Sequence, residues 1–93
     1  MKEQIKARLI AEGYARGSAC RTANDLCQIQ YEDLRYALGQ WLNDGSQIEV
    51  TDGKCSTAML VKCCHMTYPA ALIFIDWYRS DPVAACATLL HRM

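Results

Sequence analysis

The chain has no net charge. Lysine plus arginine number 10 and aspartate plus glutamate number 10, so no global field draws it to nucleic acid or to an anionic membrane, and any such binding depends on local placement. The charges hardly segregate either. Residues 1–40 hold six basic and five acidic side chains and residues 41–93 hold four and five, which leaves no basic tail. The charged start, Met1-Lys2-Glu3-Gln4-Ile5-Lys6, has no apolar stretch behind it, the feature a secretory signal needs. The longest mainly apolar run, Pro69 to Ile75, is far short of the roughly 20 residues that span a bilayer. These absences predict a cytoplasmic protein with no membrane partner. The six cysteines, Cys20, Cys27, Cys55, Cys63, Cys64 and Cys86, are therefore expected as reduced thiols rather than as a disulfide framework.

Motifs for chemistry are also missing. Cys63-Cys64-His65, with Cys55 eight residues before, offers ligand types that zinc prefers, but there is no C-x-x-C pair and the other histidine, His91, lies near the C-terminus. Structural zinc sites show paired ligand spacings, so no metal and no cofactor is expected. A thiol or metal sensor built on Cys55, Cys63, Cys64 and His65 is a third-ranked reading, since Lys62 beside Cys63 favours the thiolate. Neither a G-x-S-x-G turn nor a phosphate-cradling glycine loop occurs, and the expectation is a protein that is not an enzyme. Asp76 has only Arg79 or Ser80 to meet at helical spacing, a surface pair rather than an acid catalyst.

What is present is one small domain. Ninety-three residues, 52% hydrophobic and 22% charged, suffice for one core but not for a second core or a large cleft. Lys2 to Tyr14 reads as an amphipathic helix with Ile5, Leu9 and Ile10 inward, ended by Gly13 and Gly17. Ser18 is the expected cap of a short helix, Ala19 to Asp25 or Leu26, burying Ala19, Ala23 and Leu26. A tight turn through Cys27-Gln28-Ile29 leads to a third helix, Gln30 to Asn43. Its Leu34, Ala37, Leu38, Trp41 and Leu42 recur at i, i+3, i+4, i+7 and i+8, and Gly45 stops it. The period then falls to two. Ile48 and Val50 face one side of a strand, Asp52-Gly53 predicts a type I′ hairpin turn, and Cys55 to Lys62 is expected to return as the second strand. After a linker at Cys63 to Tyr68, Pro69 opens a helix running to Tyr78. Asp81 caps a last helix, Val83 to His91, with Val83, Cys86, Ala87 and Leu90 on one face.

Three short helices and a glycine-punctuated hairpin, over roughly residues 3–62, resemble the winged helix-turn-helix superfamily. The stretch Ala37-Leu38-Gly39-Gln40-Trp41-Leu42-Asn43-Asp44-Gly45-Ser46-Gln47-Ile48-Glu49-Val50 is similar to that superfamily's recognition-helix exit into its wing. Its inward positions would fall on Ala23, Cys27, Ile29, Leu34 and Ala37. The resemblance implies that the helix near residues 30–43 lies in a major groove and presents Gln30, Tyr31, Glu32, Arg35 and Tyr36 to base edges. Arg35 matches a guanine, Gln30 an adenine and Glu32 a cytosine amine. It further implies phosphate contacts from Arg16, Arg21 and, at the hairpin tip, Lys54. Equally, Glu32 and Asp33 are what a helix N-terminus favours with no ligand present.

The C-terminal stretch Ala70-Ala71-Leu72-Ile73-Phe74-Ile75, followed by Trp77 and Tyr78, is apolar nearly all round. Residues 69–93 are thus expected to provide a homodimer interface through Leu72, Phe74, Ile75, Trp77 and Tyr78, against the alternative of packing on the first helix. The sequence as a whole predicts a single α+β, winged-helix-like domain: a 1–62 core of three helices and a two-stranded β-hairpin wing, followed by two C-terminal helices. Its expected role is a small transcriptional regulator binding double-stranded DNA. The alternative is a protein-interaction module, such as a phage- or plasmid-encoded inhibitor or adaptor on the same scaffold, which the neutral charge favours.

Overall fold

The computed structural model describes residues 1–92, with side chains to Leu90, as six helices and a two-stranded antiparallel hairpin, an α+β layout. The order is α1 (Lys2–Ala11), α2 (Arg16–Cys27), α3 (Glu32–Asp44), β1 (Thr51–Asp52), β2 (Cys55–Ser56), α4 (Thr57–Cys63), α5 (Tyr68–Ser80) and α6 (Pro82–Arg92). One hydrophobic core runs from Ile5 through Ala85, so the N-terminal and C-terminal parts share an interior. α1 packs on α2 and α3, whereas α5 lies against α2, α3, α4, α6 and β1.

The second and third helices bury the faces their spacing predicts. Ala19, Ala23 and Leu26 of α2 and Leu34, Ala37, Leu38 and Trp41 of α3 are all buried. In α1 only Ile5 and Leu9 are inside, and Ile10 is exposed. The helix starts differ from expectation. α2 begins at Arg16, before Ser18, and takes Gly17 into its first turn. α3 begins at Glu32 after an extended Tyr31, so Gln30 and Tyr31 belong to the connection and not to the helix. Cys27, expected inward, is exposed, and Leu26 is the last buried residue of α2. Gly45 ends α3 at φ 80°, a left-handed cap that other residues adopt only with strain.

The second strand is the largest correction. Only Cys55 and Ser56 pair, with Asp52 and Thr51, and Thr57 to Cys63 is helical where a strand to Lys62 is expected. Thr57 explains the switch. Its backbone N–H donates to the Val50 carbonyl at 3.0 Å, while its Oγ1 accepts from the Val50 N–H at 2.9 Å. The side chain thereby takes the place of the Thr57 carbonyl in the ladder and frees the backbone to turn into a helix. Ser56 completes the entry, its Oγ accepting from the Met59 N–H at 3.1 Å as an N-cap. β-Compatible Thr57 and Val61 are overruled by these two side chains. Three helices therefore follow the hairpin, one more than predicted. The turn itself is Gly53-Lys54: Gly53 sits at φ 60° and Lys54 keeps a negative φ, the II′ pattern rather than I′ at Asp52-Gly53.

α5 is the centre of the molecule. Thr67 caps it by accepting from the Ala70 N–H at 3.4 Å, and Pro69 falls in its first turn as expected. Leu72 and Ile75 are fully buried and Phe74 is nearly so. Its all-round apolarity is answered within the chain, which corrects the assignment of Leu72, Phe74 and Ile75 to a surface for a partner. It also differs from the alternative of packing on α1. Asp81 caps α6 through its Oδ1, which accepts from the Ala84 N–H at 3.1 Å. There the inward residue is Ala85, not the Val83 stripe.

Two substitutions test these roles by urea denaturation. Trp41→Ala, at a site with 1% exposure, is expected to cost about 3–5 kcal/mol. Thr57→Val keeps the shape but strands the buried Val50 N–H, and a loss of about 1–3 kcal/mol is expected, with Thr57→Ser close to wild type.

Candidate nucleic-acid interface

α3 turns its buried stripe inward and leaves Glu32, Arg35, Tyr36, Gly39 and Asn43 exposed. Tyr36 is the most open of the aromatics on this helix, at 62% exposure. Arg35 lines a groove with Leu26, Cys27, Ile29 and Met1, so the end of α2 and the start of α1 border this face on one side. The hairpin is tied to the start of α3 through Arg79 of α5. That guanidinium makes two 2.7 Å bonds to the carboxylate of Asp33 in the first turn of α3. Its Nε donates to Asp52 Oδ2 in β1 at 3.1 Å. Its charge also lies over the Tyr31 ring, 4.9 Å from the centroid. One side chain thus joins α5, the entry to α3 and the hairpin.

The electrostatic consequence is local. The hydrogen bonds that Arg79 donates hold the Asp33 carboxyl below the usual carboxylate range, and the accepting Asp33 carboxylate holds Arg79 protonated more firmly than an ordinary arginine. Asp33 and Asp52 are therefore both held against one cation beside the exposed face, which offsets one of their two charges and leaves 53% of the Asp33 side chain exposed. By sequence Arg79 is paired with Asp76, three-residue helical spacing being the only visible guide. Its true partners are 46 and 27 residues away. Asp76 is instead half-buried, and burial pushes its carboxyl up.

The predicted contact residues divide into two groups. Arg35 on α3, Arg16 and Arg21 on α2 and Lys54 at the hairpin tip are all exposed, and among the described residues none of them makes an ion pair. Glu32 is exposed at the start of α3. Gln30 and Tyr31, expected on the helix, instead line a polar hollow with Gln28, Asp76 and Ser80, and Tyr31 is occupied beneath Arg79. In the expected dimer set only Trp77 is exposed, and Tyr78 is half-buried against the core.

Other chemistry finds little support in the geometry. Cys55 is buried, with its thiol pushed up by that burial, while Cys63 is exposed at the end of α4 and Cys64 is half-buried. His65 adopts a left-handed φ of 57° just past α4, where the Met66 N–H donates back to the Leu60 carbonyl at 3.1 Å. Its conformation serves the end of the helix. Among the described residues no group of three or more His, Cys, Asp or Glu is placed to hold a metal. An apolar groove of about 230 Å³ lies between α2, α5 and α6, lined by Ile73, Phe74, Trp77 and Leu89 with the hydroxyls of Tyr14 and Thr88. Among the described residues it is lined by no carboxylate, amine or thiol. No helix among the described residues is long and apolar enough to cross a membrane.

The clamp has a pH signature. A carboxylate whose pKa is depressed on folding stabilises above its unfolded value, 3.8, and loses that contribution as pH falls through the folded one. Asp33→Asn removes the charge at every pH. At pH 7 the variant is expected to melt about 4–8 °C lower, for a pair worth about 1 kcal/mol. The gap should close as pH falls below 3.8 and Asp33 becomes protonated; a gap that stays constant in thermal melts down to that range would contradict the assignment.

Comparison with family models, with curated proteins and with solved structures found no match to this chain.

Proposed function

We propose that the protein is a small cytoplasmic transcriptional regulator of the winged helix-turn-helix kind, binding double-stranded DNA with the exposed face of α3 in the major groove. The observation that supports this most is how the charges are used. Arg79 pairs with two carboxylates beside that face, Asp33 and Asp52, while Arg35, Arg16, Arg21 and Lys54 stay exposed and without ion pairs among the described residues, against the one exposed carboxylate of Glu32 on the face itself. A chain of zero net charge can bind a polyanion only through such local imbalance. Arg35 is the base-reading residue in this proposal and Glu32 and Tyr36 flank it on the same helix. Lys54 reaches the backbone from the hairpin tip, and Arg16 and Arg21 do so from α2. Gln30 and Tyr31, being outside the helix, are left at its rim.

A protein partner for the same face is the reading favoured by Tyr36, since an aromatic ring this exposed is a common anchor at protein interfaces.

Selection from a pool of random duplexes at two salt concentrations separates the two. Enrichment of a defined sequence, with affinity falling as salt rises, is the expected result. Arg35→Ala, exposed and therefore folded, should lose about 1–3 kcal/mol of discrimination at one base pair, whereas Lys54→Ala should weaken all sequences alike. A failure to enrich any sequence, together with salt-independent or absent binding, would remove the DNA reading and leave the protein partner.

A further inference from the structure

The C-terminal half of α5 carries a carboxylate that the fold leaves without a partner. Asp76 is half-buried, and its spacing offers it Arg79 and Ser80. Both are committed elsewhere. Arg79 gives its guanidinium to Asp33 and Asp52, and the Ser80 hydroxyl donates to the Asp76 backbone carbonyl at 3.2 Å rather than to its side chain. Among the described residues the Asp76 carboxylate accepts no hydrogen bond and makes no ion pair, and neither of its oxygens is sealed off from solvent. It lines the polar hollow of about 510 Å³ that Asp76 and Ser80 form with Gln28, Gln30 and Tyr31 of the connection between α2 and α3. That extent falls within the roughly 300–1,000 Å³ of small-molecule sites.

We propose that this hollow is a binding site for a guanidinium group, carried by a small free compound or by an arginine side chain. A carboxylate takes a guanidinium through two parallel hydrogen bonds, and no lysine or arginine lines the hollow to compete for it. The carboxamides of Gln28 and Gln30 supply acceptors for the N–H groups that the carboxylate leaves over. Tyr31 supplies a ring. It already carries one guanidinium, that of Arg79, 4.9 Å from its centroid, and Arg79 is not among the residues lining the hollow, so the part of Tyr31 found there is still open. The local sign agrees. Asp33, Asp52 and Asp76 share a single arginine at this end of α5. Burial pushes the Asp76 carboxyl up against the pull of Arg79, the condition of a charge short of compensation. An anion would meet that carboxylate unopposed, and an apolar ligand would strip water from it and from both carboxamides with nothing in return. An ammonium could pair with Asp76, but as a compact and strongly hydrated charge it would use neither the two-pronged geometry nor the ring. None of Arg16, Arg21, Arg35 and Lys54 lines the hollow, so its occupancy does not depend on the DNA reading.

The test is a titration of the full chain followed through its backbone amides by NMR, with butylguanidine as the probe and butylurea as its neutral counterpart of similar shape. The expected result is a saturable shift at residues 28–31 and 76–80, complete by about 10 mM, with butylguanidine and not with butylurea. Asp76→Asn keeps the shape and removes the charge. Its thermal melt should be unchanged or slightly higher, since burial no longer opposes a charge, while butylguanidine binds at least tenfold more weakly. Glu49→Gln, at an exposed carboxylate outside the hollow, should leave binding intact. N-acetylarginine amide separates the two sources: binding at least as tight as that of butylguanidine identifies an arginine side chain, and weaker binding identifies a free compound. No saturable shift up to about 10 mM overturns the proposal. So does equal binding of butylurea, or binding that Asp76→Asn leaves unchanged, because the carboxylate would then not be the anchor. If Asp76→Asn is unfolded, Asp76→Ser applies the same criterion.

Discussion

Burial of α5 is the constraint on which the rest of the molecule depends. Ala71, Leu72 and Ile75 are fully buried and Pro69, Tyr68 and Phe74 are nearly so, which no single neighbouring helix can achieve for a helix that is apolar on most sides. α2, α3, α4, α6 and the hairpin each cover part of it. The elements of the N-terminal half are thus held in place by the C-terminal half, and the division at residue 62 is one of sequence rather than of structure. Tyr68 illustrates the dependence: its hydroxyl, at the start of α5, donates to the Ile48 carbonyl at 2.8 Å and fixes the chain leading into β1.

At the other end of α5, Arg79 converts packing into charge placement. Its guanidinium is mostly covered, with 16% of the side chain exposed, and a covered cation requires partners. Asp33 and Asp52 provide them, and in doing so they orient the first turn of α3 relative to the hairpin. The same contact decides which charges remain open to a polyanion. Arg8 is consumed in a similar way at the far end of α3, bonded to Glu12 and to the Leu42 carbonyl and stacked on Trp41. The other arginines of the first half are left outside.

Much of the architecture was legible from local pattern. The stripes of α2 and α3, the hairpin after Gly45, the Pro69 entry to α5 and the Asp81 cap of α6 each rest on interactions within a few residues, which sequence spacing reports directly. The failures share a cause. Cys55 to Lys62 has strand composition, but Thr57 and Ser56 spend their hydroxyls on hydrogen bonds that favour a helix, and residue type does not reveal which bond a hydroxyl will make. The two apolar helices at the C-terminus were likewise interchangeable by periodicity: α5 reads as the one with surplus apolar surface and α6 as an ordinary amphipathic helix. In the fold α5 is enclosed and α6 is the one with an open apolar face.

By itself, then, the sequence determined the helix–hairpin–helix order, the neutral charge, the buried stripes of α2 and α3 and the candidate cations Arg16, Arg21, Arg35 and Lys54. Those follow from residue type, local spacing and short-range capping. Only the tertiary structure decided that Arg79 bridges Asp33 and Asp52, that α5 is central and that Val83 and Leu90 face outward. Each of those joins residues tens of positions apart or depends on which side of a helix its neighbours cover, and periodicity defines a face without saying what lies against it.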